Sequence, residues 1–145
     1  MTQEEKDLLL KDLCGRLPYG VILQCCEIVG EQLYSIDDKG LINNDYDIEE
    51  VKPLLFPLSD MTEEQKEELF TLCNFYTSED WEGKKTEILG IEIASRPDPA
   101  YCYDHSFRMW NIDMRAINWL LKNHFDIYEL IPMGLAKDAT NLNIY

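Results

Sequence analysis

The chain has 145 residues, of which 46% are hydrophobic and 16 are aromatic (Trp 3, Tyr 8, Phe 5), and it carries a formal net charge of -15. This length matches the commonest size of one domain, and the aromatic and branched aliphatic content separates it from disordered acidic chains. An acidic field repels phosphate, so the composition argues against direct DNA or RNA binding and favours a basic protein partner.

The charge is unevenly placed. Residues 1–92 carry 22 acidic and 8 basic side chains, whereas residues 93–145 carry 6 and 5. Five cysteines (Cys14, Cys25, Cys26, Cys73 and Cys102) form an odd set, and Thr2 to Asp7 offer no apolar leader, so a reduced, cytoplasmic setting is expected. No apolar run approaches the roughly 18 residues of a membrane span.

In chain order, Thr2 and Glu5 have the spacing of a capping box, and Leu9, Leu10, Leu13 and Leu17 continue an apolar stripe. Gly15 and Pro18 predict that this helix ends near Cys14. From Tyr19 to Val29 the residues are β-formers, and Gln32 to Ile36 follows at hairpin distance, which predicts a turn at Val29-Gly30-Glu31. Asp37 to Gly40 is a turn signal, and Leu41 to Asp47 reads as a loop. Asp37, Lys39, Leu41 and Asn43 lack the alternating oxygen donors of a calcium loop.

Pro53 and Pro57 predict a short helical turn and an extended apolar connector over 48–58, rather than a helix or a central strand. Thr62 and Gln65 predict a second capping box, leading a helix with Leu69, Leu72 and Cys73 inward and Glu63, Glu64, Glu67 and Glu68 outward. Thr86 to Ala94 reads as a strand, with Ala100 to Met109 as its return. The longest amphipathic stretch is Trp110 to Leu135, with Asn111 or Asp113 as its cap and Met114, Ile117, Leu120, Leu121 and Phe125 on one face. The expected fold is α+β, a single domain over 1–145, with about three helices packed on a small antiparallel sheet built from hairpins.

Chemistry-bearing groupings are sparse. Cys102-Tyr103-Asp104-His105 supplies one C-x-x-H pair, to which Cys73 and His124 could add ligands, but zinc motifs come in two tight pairs and there is one here. A strand with a buried Cys and a surface His accounts for the same residues. A thiolate nucleophile needs neighbouring positive charge that this chain has little of. Glu49 with Glu50, or Asp104 with Asp113, are carboxylate pairs of a kind used in acid-base work, yet such pairs abound in an acidic chain. His124, near a helix end, suits capping, and Trp81, Trp110 and Trp119 suit anchoring. Glycine-rich phosphate loops, G-x-S-x-G and H-E-x-x-H are absent from the sequence. No catalytic, cofactor-binding or metal residue is assigned.

Three ordered blocks carry a family likeness: Leu8 to Val21, Ile48 to Glu64, and Trp119-Leu120 with His124-Phe125-Asp126 and Gly134-Leu135-Ala136. They resemble a family of small uncharacterised proteins from gut bacteria, often encoded within prophage or other mobile DNA. The resemblance implies a shared fold and a mobile-element origin, and no activity carries over with it. The chain departs from the pattern at Ile127, Tyr128, Glu129 and Pro132-Met133. The function expected is a non-enzymatic, acidic protein-binding protein, in its sharpest form a decoy that mimics the charge of DNA for a basic or DNA-binding partner. The alternative is a small carboxylate-dependent metal or nucleotide-handling enzyme around Asp104 and Asp113. A third reading is an accessory protein whose apolar edges pair with another copy.

Overall fold

The computed structural model describes residues 1–73, 85–88, 91–94 and 114–145. The fold is α+β, with helices α1 (Gln3–Arg16), α2 (Glu63–Cys73) and α3 (Met114–Lys122). The strands are β1 (Ile22–Cys25), β2 (Ile28–Gln32), β3 (Val51–Leu55), β4 (Lys85–Ile88), β5 (Ile91–Ala94) and β6 (Lys137–Asp138). The chain forms two compact units, one of 1–57 with 120–145 and one of 58–119.

In the first unit, four strands lie in the order β2-β1-β3-β6. The β1–β2 and β1–β3 pairs are antiparallel and β3–β6 is parallel. Leu9 and Leu13 of α1 share the core with Val21, Leu23, Cys25, Leu33, Val51 and Leu55. The Thr2–Glu5 capping box forms as expected: the Thr2 hydroxyl accepts from Glu5 N, and the Glu5 carboxylate accepts from Thr2 N. The helix runs two residues past Cys14, to Arg16. Gly15 stays helical, and a Cβ built there would come 3.1 Å from Leu121 Cδ1, so glycine serves close packing rather than termination. Pro18 opens a single 3-10 turn, Leu17–Tyr19.

The hairpin turn lies earlier than the glycine suggests. Cys25 pairs with Ile28, so the loop is Cys26-Glu27, with Cys26 left-handed (φ 54). Gly30, with φ 121, is instead the extra residue of a β-bulge between the Leu23–Glu31 and Gln24–Val29 pairs. The connector over 48–58 also differs from expectation. After a 3-10 turn, Ile48–Glu50, residues Val51–Leu55 form a strand in the middle of the sheet, Pro53 included. Leu33 N donates to Val21 O, so alternation turns Leu23 toward β2 and leaves its pairing with Pro53 without a bond between the two backbones. The missing N–H of Pro53 therefore faces the β6 side, where pairing begins only at Leu54.

The β1–β3 ladder is completed by a side chain. Ile22 N would meet Leu54 O at the next step of the register, but the Tyr145 hydroxyl stands between them, accepting from Ile22 N (2.9 Å) and donating to Leu54 O (2.8 Å).

A buried ion pair joins α1 to the C-terminal end of α3. Arg16 Nε and Nη2 donate to the two Asp12 oxygens at 2.7 and 2.8 Å, and both side chains are shielded from solvent. Arg16 Nη1 and Nη2 also donate to Leu121 O and Phe125 O. The amphipathic stretch is shorter than its periodicity implies, because α3 ends at Lys122 and Phe125 lies beyond it. His124 turns left-handed (φ 62), and Phe125 N and His124 N donate to Leu120 O and Leu121 O, the bonds of a Schellman C-cap. Asp126 then accepts from Leu130 N and Ile131 N and fixes the following turn.

In the second unit, the Thr62–Gln65 capping box starts α2 as expected. Met61 and Leu69 are buried, and Glu63, Glu64, Glu67 and Glu68 are exposed. α2 lies against β5. The predicted strand Thr86 to Ala94 is two antiparallel strands, since Lys85 pairs with Ala94 and Ile88 with Ile91. The return strand over 100–109 and the caps Asn111 and Asp113 lie outside the described residues.

Two stability measurements check this account. Arg16→Met strands a buried carboxylate and is expected to cost about 3–5 kcal/mol, with Asp12→Leu in the same chain recovering much of it, as read by urea unfolding. Tyr145→Phe, which leaves Ile22 N and Leu54 O without their bridge, is expected to cost about 1–3 kcal/mol in the same assay.

Candidate interaction surface

The β1–β2 hairpin presents the clearest concentration of exposed apolar side chains in the first unit. Ile28 is 67% exposed, Val29 46% and Tyr34 62%. Register places them on different faces: Ile28 opposes Cys25, whose side chain enters the core, and Val29 opposes Gln24. Glu27 stands exposed in the turn. Glu50 is held beside that turn, with its carbonyl accepting from Cys26 N and its carboxylate 3.9 Å from Cys26 Sγ.

β2 is an edge strand, and part of that edge is closed by one side chain. Asn43, buried and left-handed (φ 53), donates from Nδ2 to Gln32 O and accepts at Oδ1 from Tyr34 N, each at 2.9 Å. Its amide thus makes the two bonds that a neighbouring strand would make. Glu31 gathers behind it, accepting from Asn43 Nδ2 at 3.3 Å. The same carboxylate raises the Tyr46 hydroxyl pKa by hydrogen bonding. Burial, with Glu31 adding to it, pushes the Cys25 thiol up to about 12, so Cys25 is no nucleophile at neutral pH.

A second grouping surrounds His124. Its ring stacks on Tyr145 at 3.9 Å between centroids with 14° between planes, and Phe56 packs on Tyr145 at 5.6 Å. His124 Nδ1 is buried without a hydrogen-bond partner among the described residues. Burial, and then the charge of Arg16, lowers the His124 pKa from 6.5 to about 4. The residue does serve at a helix end, but through its backbone conformation, since a neutral ring cannot complement the helix dipole.

The other sequence candidates form no site among the described residues. Cys102, Asp104, His105, Asp113, Trp81 and Trp110 lie outside the described residues. Glu49 pairs with Lys6, while the Glu50 carboxylate accepts from Asp47 N. Asp37 Oδ1 accepts from Lys39 N and Leu41 N within its own turn. Among the described residues no three His, Cys, Asp or Glu gather as metal ligands, and no helix is long and apolar enough to cross a membrane. Sequence reasoning missed the hairpin tip because it ran one strand of β-formers from Tyr19 to Val29 and placed the turn at Val29-Gly30-Glu31. Cys26-Glu27 carries none of the Asn, Asp or Gly preferences of a two-residue hairpin loop, so the residue types offered no local signal for the turn.

No family model, curated protein or solved structure matches the chain.

The His124 environment sets a pH dependence. Between pH about 6.5 and about 4 the unfolded chain takes up a proton that the folded His124 refuses, so stability falls as pH falls through that window, by about 3.5 kcal/mol at about 1.4 kcal/mol per unit for a fully buried ring and about 2–3 kcal/mol once solvent screening of this half-buried one is discounted. His124→Asn retains a residue type that accepts the left-handed backbone and removes the titration. Urea midpoints across this pH range are expected to fall less steeply in the variant than in the parent.

Proposed function

We propose that the chain is a non-enzymatic, acidic protein-binding protein of phage or mobile-element origin. Its partner is basic, and in the sharpest form of the reading it is a DNA-binding protein that meets carboxylates where it would otherwise meet phosphates. The observation that carries this reading is where the acids lie. Of the acidic residues whose burial is described, Asp12 and Asp126 are buried and hold the first unit together, while the others reach the surface. A surface of this kind steers a basic partner over distances of the Debye length and loses its hold as salt rises. Exposed carboxylates of this kind are Glu27 and Glu50 at the hairpin of the first unit and, in the second, Glu63, Glu64, Glu67 and Glu68 on one helix. The resemblance to mobile-element proteins supports the origin.

A tagged pull-down from a gut-bacterial lysate treated with nuclease, run at low and high salt, tests the reading. The expected outcome is a basic, DNA-binding protein retained at low salt, released at high salt and displaced by added duplex DNA. A partner that stays bound at high ionic strength and ignores DNA overturns the charge-mimic form. Metal retained through purification would move the assignment toward the carboxylate-dependent enzyme.

A further inference from the structure

We infer that the open length of β2, from Ile28 to Gly30, takes an added strand from the partner, in the form of an extended segment in which apolar residues alternate with Lys or Arg. This rests on the protein-binding reading above and names the chemistry of what is bound.

Backbone direction defines the open length. Leu33 N donates to Val21 O and Ile28 pairs with Cys25, so the groups of Leu33 and Ile28 turn toward β1. Alternation turns those of Gln32, Tyr34 and Val29 outward. Asn43 takes Gln32 O and Tyr34 N, which ends the open edge at the Gly30 bulge. The Val29 N–H and C=O remain directed away from the sheet, and among the described strands none lies beside them.

Side chains give the mode of binding. Ile28 lies on the same sheet face as Cys25 and Val29 on the same face as Gln24, so the exposed apolar residues flank the edge on both sides. A flat partner surface would cover one of them. A strand laid against the edge brings its own side chains to both faces, which is the geometry of strand addition.

Charge selects the occupant. Glu27, exposed in the turn, and Glu31, half-buried with its carboxylate accepting from Asn43 Nδ2, bracket the open length, and Glu50 is fixed beside the turn. The nearby base is Lys52, opposite Gln24 on the far side of β1. A second copy of this chain would set Glu27 and Glu31 against their own kind at a net charge of -15 per chain, whereas Lys or Arg at alternate positions complements them.

The test uses the full chain, isotopically labelled, titrated by NMR with short peptides that alternate Val with Lys, Val with Glu, or Gly with Lys. The Val/Lys peptide is expected to bind, to shift the Val29 amide and to slow its hydrogen exchange, while the other two bind more weakly. Val29→Pro deletes the outward donor and leaves the inward hairpin bonds, and is expected to raise Kd about tenfold, the loss of one hydrogen bond, with the Tm little changed. Val29→Thr keeps the donor and is expected to bind within a few-fold of the parent. Equal binding of Val/Lys by the parent and by Val29→Pro, or an unperturbed Val29 amide in the bound state, overturns strand addition while leaving the acidic reading standing. Equal binding of Val/Glu overturns the choice of a basic occupant, and concentration-dependent Val29 shifts without peptide replace it with a second copy. If neither Lys-containing peptide binds at low salt, strand addition and the acidic reading both fail.

Discussion

A guanidinium held away from water is the constraint around which the first unit is arranged. Arg16 is fully buried, and burying a charge is tolerable only when it is paired and its donors are met. Asp12 supplies the countercharge, but two backbone carbonyls, of Leu121 and Phe125, are needed as well. Those carbonyls face Arg16 because α3 stops at Lys122 and the chain reverses through a left-handed His124. Gly15 lets Leu121 approach α1, one residue before the arginine. Burial pushes the Asp12 carboxyl up, with Asp126 adding to the shift, against the pull of Arg16. Asp126 directs its oxygens to Leu130 N and Ile131 N instead, so the neighbouring carboxylate secures a turn rather than the guanidinium.

The sheet meets a related difficulty with polar side chains at both of its irregular points. Asn43 completes the outward edge of β2 with an amide, and Tyr145 completes the β1–β3 ladder with a hydroxyl. Each stands where a regular sheet would place backbone. Each satisfies one donor and one acceptor, which a buried or half-buried edge requires. The effect is a small sheet whose boundaries are set residue by residue. What remains open at β2 is then a short, defined length rather than a long aggregation-prone edge.

Local signals were legible in the sequence and non-local ones were not. Both capping boxes, Thr2 with Glu5 and Thr62 with Gln65, form as their spacing implies, because every group involved lies within three residues. The α+β class was legible from the alternation of helical and strand-forming stretches. The turn at Cys26-Glu27 was hidden because Gly30 offered a stronger turn signal, although the glycine serves a bulge. Pro53 argued against a central strand because the direction of its nitrogen depends on register, and register depends on partners distant in sequence. Periodicity carried the amphipathic helix on to Phe125, since Phe125 is buried whether or not it is helical. Nothing local marks Arg16 for burial or Asn43 as a substitute strand; their partners are fixed only by the assembled sheet.

The reach of the Arg16 bonds also bears on how the chain assembles as it is made. Asp12 lies four residues before Arg16, on the same helix face, whereas the Leu121 and Phe125 carbonyls follow 105 and 109 residues later. On the ribosome the guanidinium therefore meets its countercharge as soon as the first helix forms, and must wait for its remaining acceptors until most of the chain has emerged. The ion pair acts as a holding arrangement, keeping the charge matched while α1 is still wet. Contacts of such sequence separation carry a loop-closure cost that the local ion pair does not, so the exclusion of water from Arg16 depends on α3 and its cap reaching α1.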